Sequence, residues 1–221
     1  MGFLSGLFGG SRPKSNSVVV NWVEKRLKDM RNETAVTPDT VFALFMQIVS
    51  TFVSPQSKAN KKLEMDVLNV DFAAHYANDS VLFEVGCHTY VLADAWLLSN
   101  RSSEREQISK GLADRFIRLF TEALEIENVA DLFWYRVGKY AEMLRRGSSP
   151  YPVLCLGILR AKDNRRPDYY DLKDEPLMWS GVIEDMAIKV RTGEWLKAYI
   201  PALEQILEGV TSRMQKQRTD S

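Results

Sequence analysis

Residues 80–98 (SVLFEVGCHTYVLADAWLL) are apolar on nearly every face of a helix, and this limits what the chain can fold into. A helix with a single apolar stripe can lie on a surface, whereas one apolar all round has to be enclosed by other elements. The flanking sequence supplies them. Ser17 is placed to cap a helix carrying Val19, Val20, Val23, Leu27 and Met30 at helical spacing. Thr37 followed by Pro38 is a start signal, a capping hydroxyl and then a proline where its missing N–H costs nothing. That helix sets Val41, Leu44, Phe45, Ile48, Val49 and Phe52 on one face and is expected to stop at Pro55.

A third helix is expected over about 59–77, turning at Asn78-Asp79 into the apolar one. Ser103 with Glu106 reads as a capping box opening a helix to Leu124, and 130–146 as another, stopped by Gly147. Residues 151–159 (YPVLCLGIL) fit a helix or a buried strand. Residues 160–176 (RAKDNRRPDYYDLKDEP) have no period and read as a long charged loop. Helix resumes near Leu177 and is expected to break at Gly193. The last helix carries Leu196, Ile200, Leu203, Leu207, Val210 and Met214 in a heptad-like seam, with Pro201 kinking it or marking its start. The expected fold is all-α: one domain over 18–215, a bundle of about seven to nine helices around the apolar one. A polar tether closes the N-terminal tail 1–17, and 216–221 fray.

The 29 basic and 29 acidic residues cancel, which removes the general phosphate attraction of most nucleic-acid binders. Cys87 and Cys155 stand 68 positions apart without CxxC spacing and read as free thiols of a reducing compartment. The first ten residues, MGFLSGLFGG, match neither a secretory signal nor a myristoylation site. If helical, they put Phe3, Leu4, Leu7 and Phe8 on one face ahead of Arg12 and Lys14, which suits weak contact with an anionic membrane surface. The expected location is cytoplasmic, at the inner face of a membrane.

Charge is unevenly distributed. Between Leu63 and Asn100 there is no Lys or Arg, yet Glu64, Asp66, Asp71, Asp79, Glu84 and Asp94 fall there with both histidines, His75 and His88. Asp71 precedes His75 by four positions and Glu84 precedes His88 by four, so each pair shares a helix face. A hairpin turning between these helices would interleave Asp71, His75, Glu84 and His88, ligand types suited to a divalent transition metal. The plainer reading is a polar pair, Glu84 with His88, satisfying itself within an apolar stripe. The Glu-x-x-His spacing of di-iron bundles and the HExxH motif are both absent.

No Walker loop, GxSxG or strand-to-helix GxGxxG occurs, and Cys87 and His88 are adjacent, a wrong geometry for a nucleophile and its base. Arg136, Lys139 and Arg146 share one face and read as solvated charges without interleaved aromatics. Tyr169 and Tyr170, bracketed by Asp168 and Asp171, suit a docking segment. The function expected is a non-enzymatic interaction or regulatory protein with a protein partner, no cofactor and no nucleic acid. The competing class is a metal-dependent helical enzyme using the carboxylate/histidine cluster.

Overall fold

A computed structural model of the protein describes residues 17–30, 37–53, 78–146, 158, 161 and 183–219. Among these there are six α-helices and no strand: α1 (Val18–Asp29), α2 (Pro38–Thr51), α3 (Asp79–Asn100), α4 (Ser102–Leu124), α5 (Val129–Arg145) and α6 (Ile183–Thr219). The expected helix over 59–77, most of 151–176, and the N-terminal tail before Ser17 lie outside the described residues.

The caps of α1 and α2 follow from local chemistry. Ser17 Oγ accepts from Val20 N at 3.0 Å, and Thr37 and Thr40 exchange side-chain bonds with each other's backbone N–H in a capping box. A second cap on α1 comes from far along the chain. Asp79, the first residue of α3, accepts from Ser17 Oγ at 2.5 Å, Val18 N at 3.1 Å and Val19 N at 3.3 Å. A carboxylate at a helix N-terminus meets both the unpaired N–H groups and the positive end of the helix dipole.

The chain is all-helical over the described residues, and α3 packs against every other described helix and is buried without a break from Ser80 to Val91. It is also long and apolar enough to cross a membrane, but 72% of its apolar window is buried inside the protein, as in a core helix. The approach of α4 to α3 depends on Gly86, where an added Cβ would overlap the Phe116 ring. Phe116 in turn packs at a tilt against Phe83, Phe120 and Phe133, tying α3, α4 and α5 together. Two ion pairs pin further contacts: Arg105 holds Asp94 through two bonds at 2.9 and 2.8 Å, and Arg115 Nε reaches Asp39 Oδ1 at 2.6 Å.

Three sequence expectations are corrected. The second helix ends at Thr51, ahead of Pro55. The capping box at Ser103 and Glu106 does not form: α4 starts at Ser102 without a side-chain cap, and Ser103 Oγ donates to Glu104 Oε2 at 2.6 Å. Gly193 does not break the chain, because α6 runs through both Gly193 and Pro201. Glycine and proline cost a helix interior about 1 and 3 kcal/mol, and tertiary contacts along α6 offset this. Trp195 Nε1 donates to Thr51 Oγ1 at 3.1 Å and packs edge-on against Phe52. Leu196, Leu203, Leu207 and Val210 are buried, and Gln215 Nε2 donates to Glu104 Oε1 at 3.2 Å. The heptad-like seam is therefore spent within the core.

Candidate functional site

The helices α3 and α5 run antiparallel, Glu84 lying against Arg136 and Tyr140 while Tyr90 lies against Phe133 and Trp134. The buried stripe of α5 is Val129, Phe133, Arg136 and Tyr140, helical spacing with one cation among apolar and aromatic residues. Arg136 Nε donates to Glu84 Oε1 at 3.0 Å and Tyr140 Oη donates to Glu84 Oε2 at 2.5 Å, so both carboxylate oxygens are engaged. The His88 ring meets the Tyr140 ring edge-on, centroids 5.5 Å apart. Glu84, His88, Arg136 and Tyr140 are all 0% exposed.

This overturns the reading of Arg136 as a solvated charge, and it gives both oxygens of Glu84 partners on α5, where the sequence pointed to His88 on its own helix. The cation that answers Glu84 comes from another helix. Burial raises the Cys87 thiol well above its ordinary pKa, and the neighbouring Glu84 charge pushes it further, outweighing Arg136. Cys87 is thus a protonated, unreactive core thiol.

The carboxylates of the segment lacking Lys and Arg are accounted for wherever the structure describes them. Asp79 caps α1, Glu84 pairs with Arg136, and Asp94 accepts from Arg105 and from Ser109 Oγ at 2.6 Å. Glu64, Asp66, Asp71 and His75 lie outside the described residues, as do Phe3, Leu4, Leu7, Phe8, Tyr169 and Tyr170. Among the described residues no group of three or more His, Cys, Asp and Glu is placed to hold a metal. Glu84 and His88 are brought together with Arg136 and Tyr140, a solvent-excluded arrangement that ties α5 to α3.

The opposite face of α5 is accessible. Trp134 is 50% exposed and Tyr135 42%, side by side, although Trp134 also touches Phe133 and Tyr90. Tyr135 divides two shallow, open depressions. One is lined by Glu125, Glu127, Asp131 and neighbours, the other by Trp134, Gly138, Lys139, Glu142, Arg145 and Arg146. Lys139 Nζ lies 5.7 Å from the Tyr135 ring centroid, and the guanidinium carbon of Arg136 lies 5.5 Å from it. The sequence reading missed Trp134 and Tyr135; the available signal was two large aromatics set off the buried stripe of their own helix.

Two residues on this face depart from the local optimum. Glu125 has φ 54 and ψ 40, a left-handed conformation that costs a side-chain-bearing residue about 1–2 kcal/mol. Gly138 is exposed in the middle of α5, about 0.5–1 kcal/mol worse than alanine there. Among the described residues nothing lies within 4 Å of where its Cβ would be, so packing within the fold gives no reason for the glycine. Departures of this kind tend to gather at functional sites.

Comparison with protein-family models, curated proteins and solved structures gives no match.

Proposed function

We propose that the protein is a non-enzymatic interaction or regulatory protein whose working surface is the outer face of α5. The observation that carries this is the exposed pair Trp134 and Tyr135 on a helix whose inner face is fixed by the buried Glu84–Arg136–Tyr140 network. Exposed aromatics on a rigid support bind proteins well, because they bring large contact area at little entropic cost. The face belongs to one domain over 18–215, a bundle of seven to nine helices, located in the cytoplasm. Its N-terminal residues Phe3, Leu4, Leu7 and Phe8 add a weak contact with the inner face of a membrane, and Tyr169 and Tyr170 add a second docking segment. The balanced charge favours a protein partner over nucleic acid. The metal-enzyme alternative would require Glu84 to serve a metal beside the Arg136 cation, which lowers cation affinity.

The test is a photo-crosslinking residue placed at Tyr135 of the full chain in its native cell, with Glu122 on the exposed side of α4 as the control position. A discrete protein adduct at 135 and none at 122 is expected. Adducts absent at 135, or equal at both positions, would remove the reading. Metal analysis of the purified full chain addresses the alternative, which needs a stoichiometric bound transition metal.

A further inference from the structure

We infer that the partner of the α5 face is a second copy of this chain, docked antiparallel about a two-fold axis passing between the two Tyr135 side chains. The inference rests on the reading of that face as an interaction surface and names its occupant. Charge decides the choice. On one side of Tyr135 the depression presents the carboxylates of Glu125, Glu127 and Asp131; on the other it presents Lys139, Arg145 and Arg146. Glu142 also stands on the basic side, and its ion pair with Arg146 at 2.6 Å offsets both of those charges, so the cations left to meet a partner are Lys139 and Arg145.

An acidic partner would answer only the basic half and be repelled by the other. A basic partner would meet the converse problem, and an anionic membrane surface would be repelled by the acidic half. A second copy turned through half a revolution answers both halves at once, as an isologous interface requires.

The register agrees. Asp131 stands four residues before Tyr135 and Lys139 four after, so a two-fold at Tyr135 sets Asp131 of each copy opposite Lys139 of the other. Each of these lies about 6 Å along the helix from the axis. Glu125 and Glu127 lie in the turn that precedes α5, at the end of the face opposite Arg145, so the same operation turns the acidic end of each copy toward the basic end of the other. The exposed aromatics then meet near the axis. Gly138 leaves the helix surface low beside them, which permits close approach of the second helix. Glu125 keeps its carboxylate on this face in a backbone conformation that glycine would adopt more readily. One helix face and its preceding turn make a small interface, so the dimer forms reversibly with concentration and weakens with salt.

Sedimentation equilibrium on the full chain at low salt tests this with two charge-reversed variants. The first carries Lys139→Glu, Arg145→Glu and Arg146→Glu; the second carries Glu125→Lys, Glu127→Lys and Asp131→Lys. Wild type is expected to dimerise, and each variant alone to lose about tenfold or more in association constant. An equimolar mixture of the two is expected to recover dimers, because an all-acidic face then meets an all-basic one. Circular dichroism on each variant establishes that it is folded, and an unfolded variant is replaced by its single-site member at Lys139 or Asp131. Wild type monomeric at its highest soluble concentration, or a mixture that stays monomeric, overturns the second-copy proposal. If the Tyr135 crosslinker then still captures a different protein, the interaction reading stands and only the occupant is wrong. If it captures nothing, both fall.

Discussion

Arg136 Nε lies 3.0 Å from Glu84 Oε1 with both side chains excluded from solvent, although 52 positions separate them in the chain. A buried ion pair adds little over a well-packed apolar pair, but removing one partner strands the other. Arg136→Met is therefore expected to destabilise the protein by about 3–5 kcal/mol. Glu84→Gln should cost about as much, because it leaves the Arg136 guanidinium, which cannot give up its proton, buried without a counter-charge. The double variant should recover part of the sum, a coupling that urea denaturation of all four proteins measures. Strict additivity would mean that the two charges do not act as a unit.

Gly86 offers a steric test of the core. Its missing side chain is the space occupied by Phe116, so Gly86→Ala is expected to cost about 1–3 kcal/mol by overpacking. Adding Phe116→Leu should return some of this by opening room, read again from denaturation midpoints. A Gly86→Ala protein as stable as wild type would contradict the close approach of α3 and α4.

Much of the architecture was legible in the sequence. The caps at Ser17 and Thr37, and the enclosure of α3, depend on local hydrogen bonding and on apolar periodicity, which a sequence displays directly. Long-range pairing was not legible. Nothing near Asp79 announces that it caps a helix starting 61 positions earlier, and Arg136 looked solvated because its anion lies on another helix. The continuity of α6 was hidden for a related reason: Gly193 and Pro201 carry strong local signals, and the burial of Trp195 and Leu196 that overrides them is tertiary. The odd charge distribution over 63–100 was visible, but its explanation required knowing which cations the fold delivers to it.

Asp94 gives the fold a pH dependence. Burial raises its pKa, but the hydrogen bonds from Arg105 and Ser109 and the Arg105 charge together outweigh that and hold it below the ordinary value of 3.8. A carboxylate with a depressed native pKa contributes stability that is present above its unfolded pKa and lost as pH falls through the native one. Wild type should exceed Asp94→Asn by about 1 kcal/mol or less near neutrality, since Arg105 is partly exposed and screened. The gap should close as the pH is taken below about 4. A gap independent of pH would assign the effect to something other than this ion pair.

Gly138 separates folding from association. Alanine is the better helix former at an exposed position, so Gly138→Ala is expected to raise stability by about 0.5–1 kcal/mol. Gly209, also exposed in a helix with nothing described within 4 Å, serves as the comparison. Both alanine variants should be more stable by thermal melting, while only Gly138→Ala should alter self-association. A fall in stability at 138 would show that the glycine serves the fold.

Tyr135 bears most directly on the account, because it stands between the acidic and basic depressions and beside the inferred two-fold axis. The measurement is self-association of the full chain by sedimentation equilibrium, wild type against Tyr135→Ala, with the urea midpoint of each recorded alongside. The account predicts an association constant lowered by about tenfold or more, as for a central aromatic anchor, with stability within about 0.5 kcal/mol of wild type. Dimers that form as readily without the Tyr135 side chain would contradict it.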